Sequence, residues 1–207
     1  MKRRHLISLA LLAGTAARAQ PNGLVEGQNF VRLEKPQGRP AGGKIDVIEF
    51  FSYACPHCHA FEPDLDAWIK RVPQDVAVRR VPVPFLANAA NFQRTYYALE
   101  ALGLVDAVQS KVFAAVHVQG LRLGKPEEIA DLVARNGGDA AKFLAHFQSF
   151  SVAAAQTRAS KMTDDYAVDG VPSLVVDGRY QTSPGMAGGP KQALAVVDAL
   201  IQRVRRA

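Results

Sequence analysis

The sequence predicts an α/β fold in which one sheet layer is interrupted by a long helical insert. Three observations predict it. An apolar strand pattern is followed by a helical pattern and a second strand pattern. About 80 residues of almost wholly helical periodicity come next. Strand signals then resume and end in an amphipathic helix, so two parts of one layer are separated in the chain.

The elements are justified in order. Phe30–Leu33 is expected as a short strand leading into the Gly- and Pro-bearing loop Pro36 to Gly43. Lys44–Tyr53 is apolar on both faces, as a central strand is. Pro56 opens a helix running to about Arg71; proline at the first helical position forfeits no hydrogen bond. Phe61, Leu65, Trp68 and Ile69 share one face of it. Val76–Val83 is the second strand, bounded by Pro82 and Pro84, with a right-handed parallel crossover expected between the two strands. Helices are then predicted over Asn91–Leu102, Val105–Val118, Lys125 to Gly137, Asp139–Phe147 and Ser151–Val168. Ser173–Val176 is a strand, Asp177-Gly178 a hairpin-turn signal and Arg179–Thr182 the returning strand. Pro190–Arg205 is the last helix.

The N-terminus reads as a leader. Lys2, Arg3 and Arg4 precede a short apolar run, Leu6 to Ala13, and Ala17-Arg18-Ala19 is a small-x-small cleavage signal. Residues 1–19 are therefore expected to be a secretory signal peptide cut after Ala19. A retained membrane anchor or a disordered tail is the other reading, but the apolar run is too short to span a bilayer. The formal charge of +6 falls to near +2 without the four basic residues of the leader, so nothing points to nucleic acid. Arg203, Arg205 and Arg206 complement the dipole of the last helix. Export also fixes the redox setting, because disulfides persist outside the cytosol.

The chain has two cysteines, and they form the motif Cys55-Pro56-His57-Cys58. Residues three apart in a helix have Cα atoms roughly 5 Å apart. That lies inside the window of about 4.4–6.8 Å for an unstrained disulfide. The reactive species in thiol exchange is the thiolate. Cys55 falls at the helix start, where first-turn N–H groups and the helix dipole favour an anion. His57 can add a hydrogen bond or a positive charge. Cys58 is expected one turn inside and shielded. Cys55 is thus the candidate nucleophile and Cys58 the resolving thiol, joined in the oxidised state as a redox disulfide. Two blander readings stand beside this one. A zinc ion would need ligands beyond Cys55, His57, Cys58 and His59, which cannot all converge from one helix start; His117 and His146 lie in the helical block. A purely structural disulfide would close a very small loop and constrain the unfolded chain little.

Two further residues are singled out. Pro172 precedes a strand, where proline costs a ladder bond, so Val171-Pro172 is either an ordinary turn or a cis peptide. Glu49 interrupts an apolar strand, so its carboxylate is either at a wet strand end or buried with a raised pKa.

Glu49-Phe50-Phe51-Ser52 leading into Cys55-Pro56-His57-Cys58, together with Gly170-Val171-Pro172 before the closing hairpin, resembles the DsbA family of periplasmic disulfide-forming oxidoreductases of Gram-negative bacteria. The likeness covers nearly the whole mature chain. It implies a thioredoxin-like fold with an inserted helical domain: residues 20–87 and 165–207 form the thioredoxin-like part, and 88–164 the insert. It implies a cis Pro172 lying against the cysteines, with the Val171 backbone pairing to an extended substrate segment. It implies that Glu49 lies beneath the disulfide and shuttles protons to Cys58. Glu62 and Arg80 match further charged positions near the site, although on the residues alone each reads as a solvated surface charge. Phe51, Tyr53, Phe85, Leu86 and Met186 are candidates for an apolar groove, although aromatics at such spacing are more often core. A DsbA-like thiolate of pKa ~3.5, against ~8.5 for ordinary cysteine, stabilises the reduced form by roughly 4.8 kcal/mol at pH 7, on the order of 100 mV. The implied partners are folding exported proteins with free thiols and a DsbB-like quinone-linked inner-membrane oxidase; the implied state is a monomer needing no metal or organic cofactor. The competing functions are a disulfide reductase or isomerase, the latter expected to carry a further N-terminal dimerisation domain, and a noncatalytic folding helper using the groove.

Overall fold

A computed structural model describes residues 23–38 and 43–206; the expected signal peptide, 1–19, lies outside the described residues. The elements follow as β1 (Val31–Arg32), β2 (Ile45–Phe51), α1 (Pro56–Ile69), β3 (Val76–Pro82), α2 (Ala89–Ala101), α3 (Val105–His117), α4 (Pro126–Arg135), α5 (Ala140–Phe147), α6 (Phe150–Asp165), β4 (Ser173–Val176), β5 (Tyr180–Thr182), α7 (Pro184–Ala187) and α8 (Pro190–Arg205). One five-stranded sheet has the order β1-β5-β4-β2-β3. β2 and β3 are parallel, joined through α1; β2–β4, β4–β5 and β5–β1 are antiparallel. The fold is thus α/β and thioredoxin-like, as expected.

β2 is buried at every position, because both its faces are covered. Successive side chains alternate between faces. Val47 packs with Phe61, Leu65 and Trp68 of α1 and with Val197 and Leu200 of α8. Ile48 and Phe50 pack on the other face with Val175, Ala159 of α6 and Tyr166. Glu49 shares the parity of Val47 and therefore looks toward α1. This is why one carboxylate in an apolar strand ends up beneath the first helix.

The helices after β3 build their own core, and it runs without a break into the cysteine loop. Phe92, Tyr96 and Leu99 of α2, Val112 and Phe113 of α3, Ile129 and Val133 of α4 and Phe143 of α5 cluster with Phe51, Tyr53, Cys55 and Cys58. The ring of Phe51 meets those of Tyr53, Tyr96 and Phe113 at centroid distances of 5.3, 5.4 and 6.1 Å. Such aromatic pairs contribute about 0.5–1.5 kcal/mol each beyond their buried area. Phe51 and Tyr53 are fully buried, so the expectation that they line a groove is corrected: they are core.

The closing hairpin turns on Asp177 and Gly178, whose φ angles of 55° and 61° are both left-handed. A Cβ on Gly178 would fall 2.4 Å from the Gln37 carbonyl oxygen, so that position takes no side chain. The single turn α7 has no counterpart among the sequence expectations. It is capped by Ser183 Oγ, which accepts from the Met186 N–H at 3.2 Å.

Candidate active site

Cys55 is the N-cap of α1, with extended backbone at φ −92° and ψ 117°. Pro56 follows at the first helical position. The Cys58 N–H donates to Cys55 Sγ at 3.4 Å, one of the first-turn groups that a helix leaves unpaired. The start of the motif is itself held in a turn, with the Cys55 N–H on the Ser52 carbonyl at 3.0 Å and the Ala54 N–H on Ser52 Oγ at 3.1 Å.

Both cysteines are thiols in the structure. The Cys55 thiol donates to the Val171 carbonyl at 3.4 Å. Cys55 retains only 5% exposure and Cys58 none, so the nucleophile is less open than its place at a helix start suggests; Val171 covers it. The Val171–Pro172 peptide is cis, and Pro172 is buried next to β4. His57 and Pro56 are exposed.

The two sulfurs are electrostatically unlike. The Cys55 thiol is lowered to about 6 by the hydrogen bond from the Cys58 side chain, against the opposing effect of burial; the backbone N–H groups of Cys58 and His57 and the charge of His57 assist. Burial pushes Cys58 far up, reinforced by its hydrogen bond to Cys55 and by the charge of Glu49. At pH 7 about nine Cys55 side chains in ten are then thiolate. Stabilisation of the reduced form is about 1.4 kcal/mol, on the order of 30 mV. That is smaller than the ~100 mV a DsbA-like thiolate supplies.

Beneath the motif lies a buried polar network. Glu49 is fully buried, and its carboxylate oxygens have no hydrogen-bond partner among the described residues. Burial raises it to about 8, against the opposing pull of Arg80 and with the help of Glu62, Asp66 and Cys55. Arg80 Nη1 lies 2.7 and 2.9 Å from the two oxygens of Glu62, and Nη2 lies 2.5 Å from Asp66 Oδ1. Glu62 is raised by burial to about 7, against the pull of Arg80. Gln109 of α3 donates to Glu62 Oε1 at 2.9 Å and accepts from Tyr53 Oη at 3.3 Å, tying the helical block to α1. Glu62 and Arg80 are therefore buried members of this network, which corrects the reading of each as a solvated surface charge. Glu62 was signalled by spacing: Cys58, Phe61, Glu62, Leu65 and Trp68 form the buried stripe of α1. Arg80 is brought there by register, standing opposite Glu49 in the parallel ladder, a pairing that no local pattern signals.

Two histidines outside the motif reach the site. His117 Nε2 is 2.8 Å from the Tyr53 carbonyl oxygen, so α3 is pinned to the cysteine loop. His59 stacks on His117 at 5.2 Å between centroids and 13° between planes. Among the described residues, no group of three or more His, Cys, Asp and Glu is arranged to hold a metal ion. Of the remaining groove candidates, Phe85 is 43% exposed, whereas Leu86 and Met186 are half-buried. No helix among the described residues is long and apolar enough to cross a membrane.

Comparison with known proteins agrees with this geometry. The family described as DSBA-like thioredoxin domain matches residues 46–197. The thiol:disulfide interchange protein DsbA of Burkholderia cepacia is 39% identical over 201 residues, covering 97% of this chain and 94% of that protein. Its counterpart in Pseudomonas aeruginosa is 38% identical over 202 residues, covering 98% and 95%. Among solved structures, Pseudomonas aeruginosa DsbA superposes with a TM-score of 0.83 at 38% identity, covering 87% of this chain and 94% of that one. DsbA from Xylella fastidiosa gives 0.82 at 31% identity, covering 89% and 99%. On sequence, fold and the geometry of the paired cysteines, the chain belongs to the DsbA family of thiol:disulfide oxidoreductases.

Proposed function

We propose that this oxidoreductase works as a disulfide donor in the periplasm, as an exported monomer whose leader is cut near Ala19. A substrate thiolate attacks Cys55 Sγ of the Cys55–Cys58 disulfide. The new bond joins substrate sulfur to Cys55, and Cys58 leaves as a thiolate. Glu49, holding its proton near neutral pH, gives that proton to Cys58. A second substrate thiolate then attacks its own sulfur in the mixed disulfide. The substrate departs oxidised, and Cys55 departs as a thiolate favoured by the N–H groups around it and by His57. Two electrons have passed from substrate to the Cys55–Cys58 pair. The Val171 carbonyl and Pro172 flank the reacting sulfur and form the edge on which an extended substrate segment pairs. The substrates are folding exported proteins with free thiols, and a DsbB-like quinone-linked inner-membrane oxidase restores the disulfide. The chain divides into a thioredoxin-like part, 20–87 and 165–207, and a helical insert, 88–164.

The observation that carries this reading is the opposed titration of the two cysteines, one down to about 6 and the other pushed up by burial. A stable thiolate at Cys55 makes the reduced pair the favoured product, which is what a donor of disulfides requires. The test is the reduction potential, with oxidation of a reduced, unfolded substrate as companion assay. A potential toward the DsbA figure of about −120 mV supports a donor; one near thioredoxin's, about −270 mV, refutes it. The reductase reading retains one observation in its favour: a Cys55 value of about 6 lies closer to thioredoxin's ~7 than to ~3.5.

A further inference from the structure

The buried network has one member that reaches solvent. Arg80 divides its guanidinium among three carboxylates: Nη1 to both oxygens of Glu62, Nη2 to Asp66 Oδ1 at 2.5 Å, and Nε toward Glu49 Oε2 at 3.6 Å. Glu49 receives the longest approach and is the most deeply buried of the three. Asp66 is the opposite case, with 44% of its side chain exposed. It lines an open cleft of about 500 Å³ together with Lys70 at the C-cap of α1, Arg79 of β3, Tyr96 and Glu100 of α2 and Asp106 of α3.

We propose that Asp66 is a positioning residue for the thiol exchange: by engaging one arm of Arg80 from the solvent side, it keeps the guanidinium turned from Glu49 and leaves Glu49 free to carry a proton. The inference rests on the exchange reading given above and names a residue through which it is controlled. A guanidinium has a fixed fork of donors, so an arm held by one carboxylate is withheld from another. Asp66 suits this task because water supports its charge, whereas a fully buried carboxylate is driven to take a proton. Its charge also acts directly, since it raises both Glu49 and Glu62.

Among the described residues, Arg80 stands beside Glu49 on β3; Glu62, Asp66, Cys55 and Cys58 act on it from α1 or its start; Tyr53 and Tyr96 do so from the cysteine loop and α2; β4 offers uncharged Leu174 at that register. Asp66 answers to Arg80, with Lys70, Arg79, Glu100 and Asp106 on the cleft walls. Removing Asp66 frees a donor arm of Arg80, and Glu49 is, among the described residues, the carboxylate beside Arg80 that lacks a hydrogen bond.

The test uses Asp66→Asn and Asp66→Ser in the full chain, reading the Glu49 carboxyl carbon by NMR as pH is varied. In both variants the Glu49 midpoint is expected to fall by about one pH unit, a tenfold loss of proton affinity. The alkaline limb of the exchange-rate profile is expected to fall with it. Asp66→Glu restores the wild-type midpoint. A Glu49 midpoint unmoved in Asp66→Asn and Asp66→Ser overturns the inference and leaves the donor reading standing. A wild-type reduction potential near thioredoxin's overturns the donor reading, while a moved Glu49 midpoint still supports the coupling. Thermal unfolding of each variant separates this from damage to the fold, and Asp66→Ser serves should Asp66→Asn be unstable.

Discussion

Glu49 and Arg80 stand opposite one another in register on adjacent parallel strands, yet the guanidinium approaches the carboxylate only through Nε, at 3.6 Å. A neighbouring charge of opposite sign would ordinarily hold a carboxylate ionised. Here Arg80 spends its better donors on Glu62 and Asp66, and burial wins at Glu49. The result is a buried acid raised to about 8 and electrostatically coupled to both cysteines. An acid–base catalyst is most effective when its pKa lies near the working pH.

Replacing Glu49 by Gln is expected to slow exchange at neutral pH by roughly 10²-fold, the lower end of what a positioned proton donor contributes. It also reverses a trend in stability. The raised folded value means that Glu49 contributes stability fully present below its unfolded value of ~4.3 and lost as pH rises through about 8. Cys55 acts in the other sense: its contribution in the reduced protein is complete above ~8.5 and lost as pH falls through about 6. Between pH 6 and 8 the two oppose in the wild type; Glu49→Gln removes the falling part that Glu49 supplies and leaves that of Glu62, which ends near pH 7, so the variant gains stability relative to the wild type as pH rises toward 8. Urea midpoints of the reduced proteins measured across this range check it. Parallel curves for wild type and variant would show that Glu49 is ionised throughout.

The contrast between the cysteines is read by alkylation. At pH 7 a thiol-specific reagent is expected to modify Cys55 and spare Cys58, and absorbance at the thiolate band rises with a midpoint near 6. Cys55→Ser abolishes both signals, because Cys58 is buried and held in its thiol form. Peptide mass mapping identifies the modified residue. Equal labelling of the two sulfurs sinks the assignment of roles.

Cys58→Ser is expected to trap the enzyme on its substrate. Without a resolving sulfur, a mixed disulfide formed at Cys55 can be released only by an outside thiol. Non-reducing electrophoresis with a single-cysteine peptide bearing an activated disulfide should show a stable adduct with Cys58→Ser and only a transient one with the wild type. Failure of the adduct to form would mean that the Val171 carbonyl, 3.4 Å from Cys55 Sγ, closes the site to extended chains.

Much of this was legible in the residues, and the exceptions have physical causes. The strands and most helices follow from periodicity, because each buries a single stripe or face. The motif Cys55-Pro56-His57-Cys58 announces its own geometry, since N-cap and first-turn positions are local. The network around Arg80 was not legible, because a charged residue in a half-buried strand looks the same whether its head meets water or three carboxylates. Only the register of β2 against β3 tells these apart. Gln109 and His117 lie more than 45 residues from their partners Glu62 and Tyr53, and no local pattern carries such pairings. Phe51 and Tyr53 were assigned to a groove because aromatic side chains near a reactive loop suit either a wall or a core. Here the helical block covers them.

His117 supplies the last prediction. Its Nε2 lies 2.8 Å from the Tyr53 carbonyl, two residues before the nucleophile, and its ring stacks on His59. Substitution by Ala removes a half-buried hydrogen bond, a loss of about 0.5–1.5 kcal/mol. His117→Ala is therefore expected to lower the unfolding midpoint and to speed hydrogen exchange at Ala54 and Cys55 more than at β4. A second readout follows from the stack. Burial, reinforced by the charge of His117, lowers His59, so its neutral form contributes stability that is complete above ~6.5 and lost as pH falls toward the lowered folded value. Removing the neighbouring imidazole lifts part of that penalty, and the His59 ring-proton titration should move up in His117→Ala. Uniform exchange across the sheet and loop, with an unmoved His59, would mean that the ring fills space beside the cysteine loop without anchoring it.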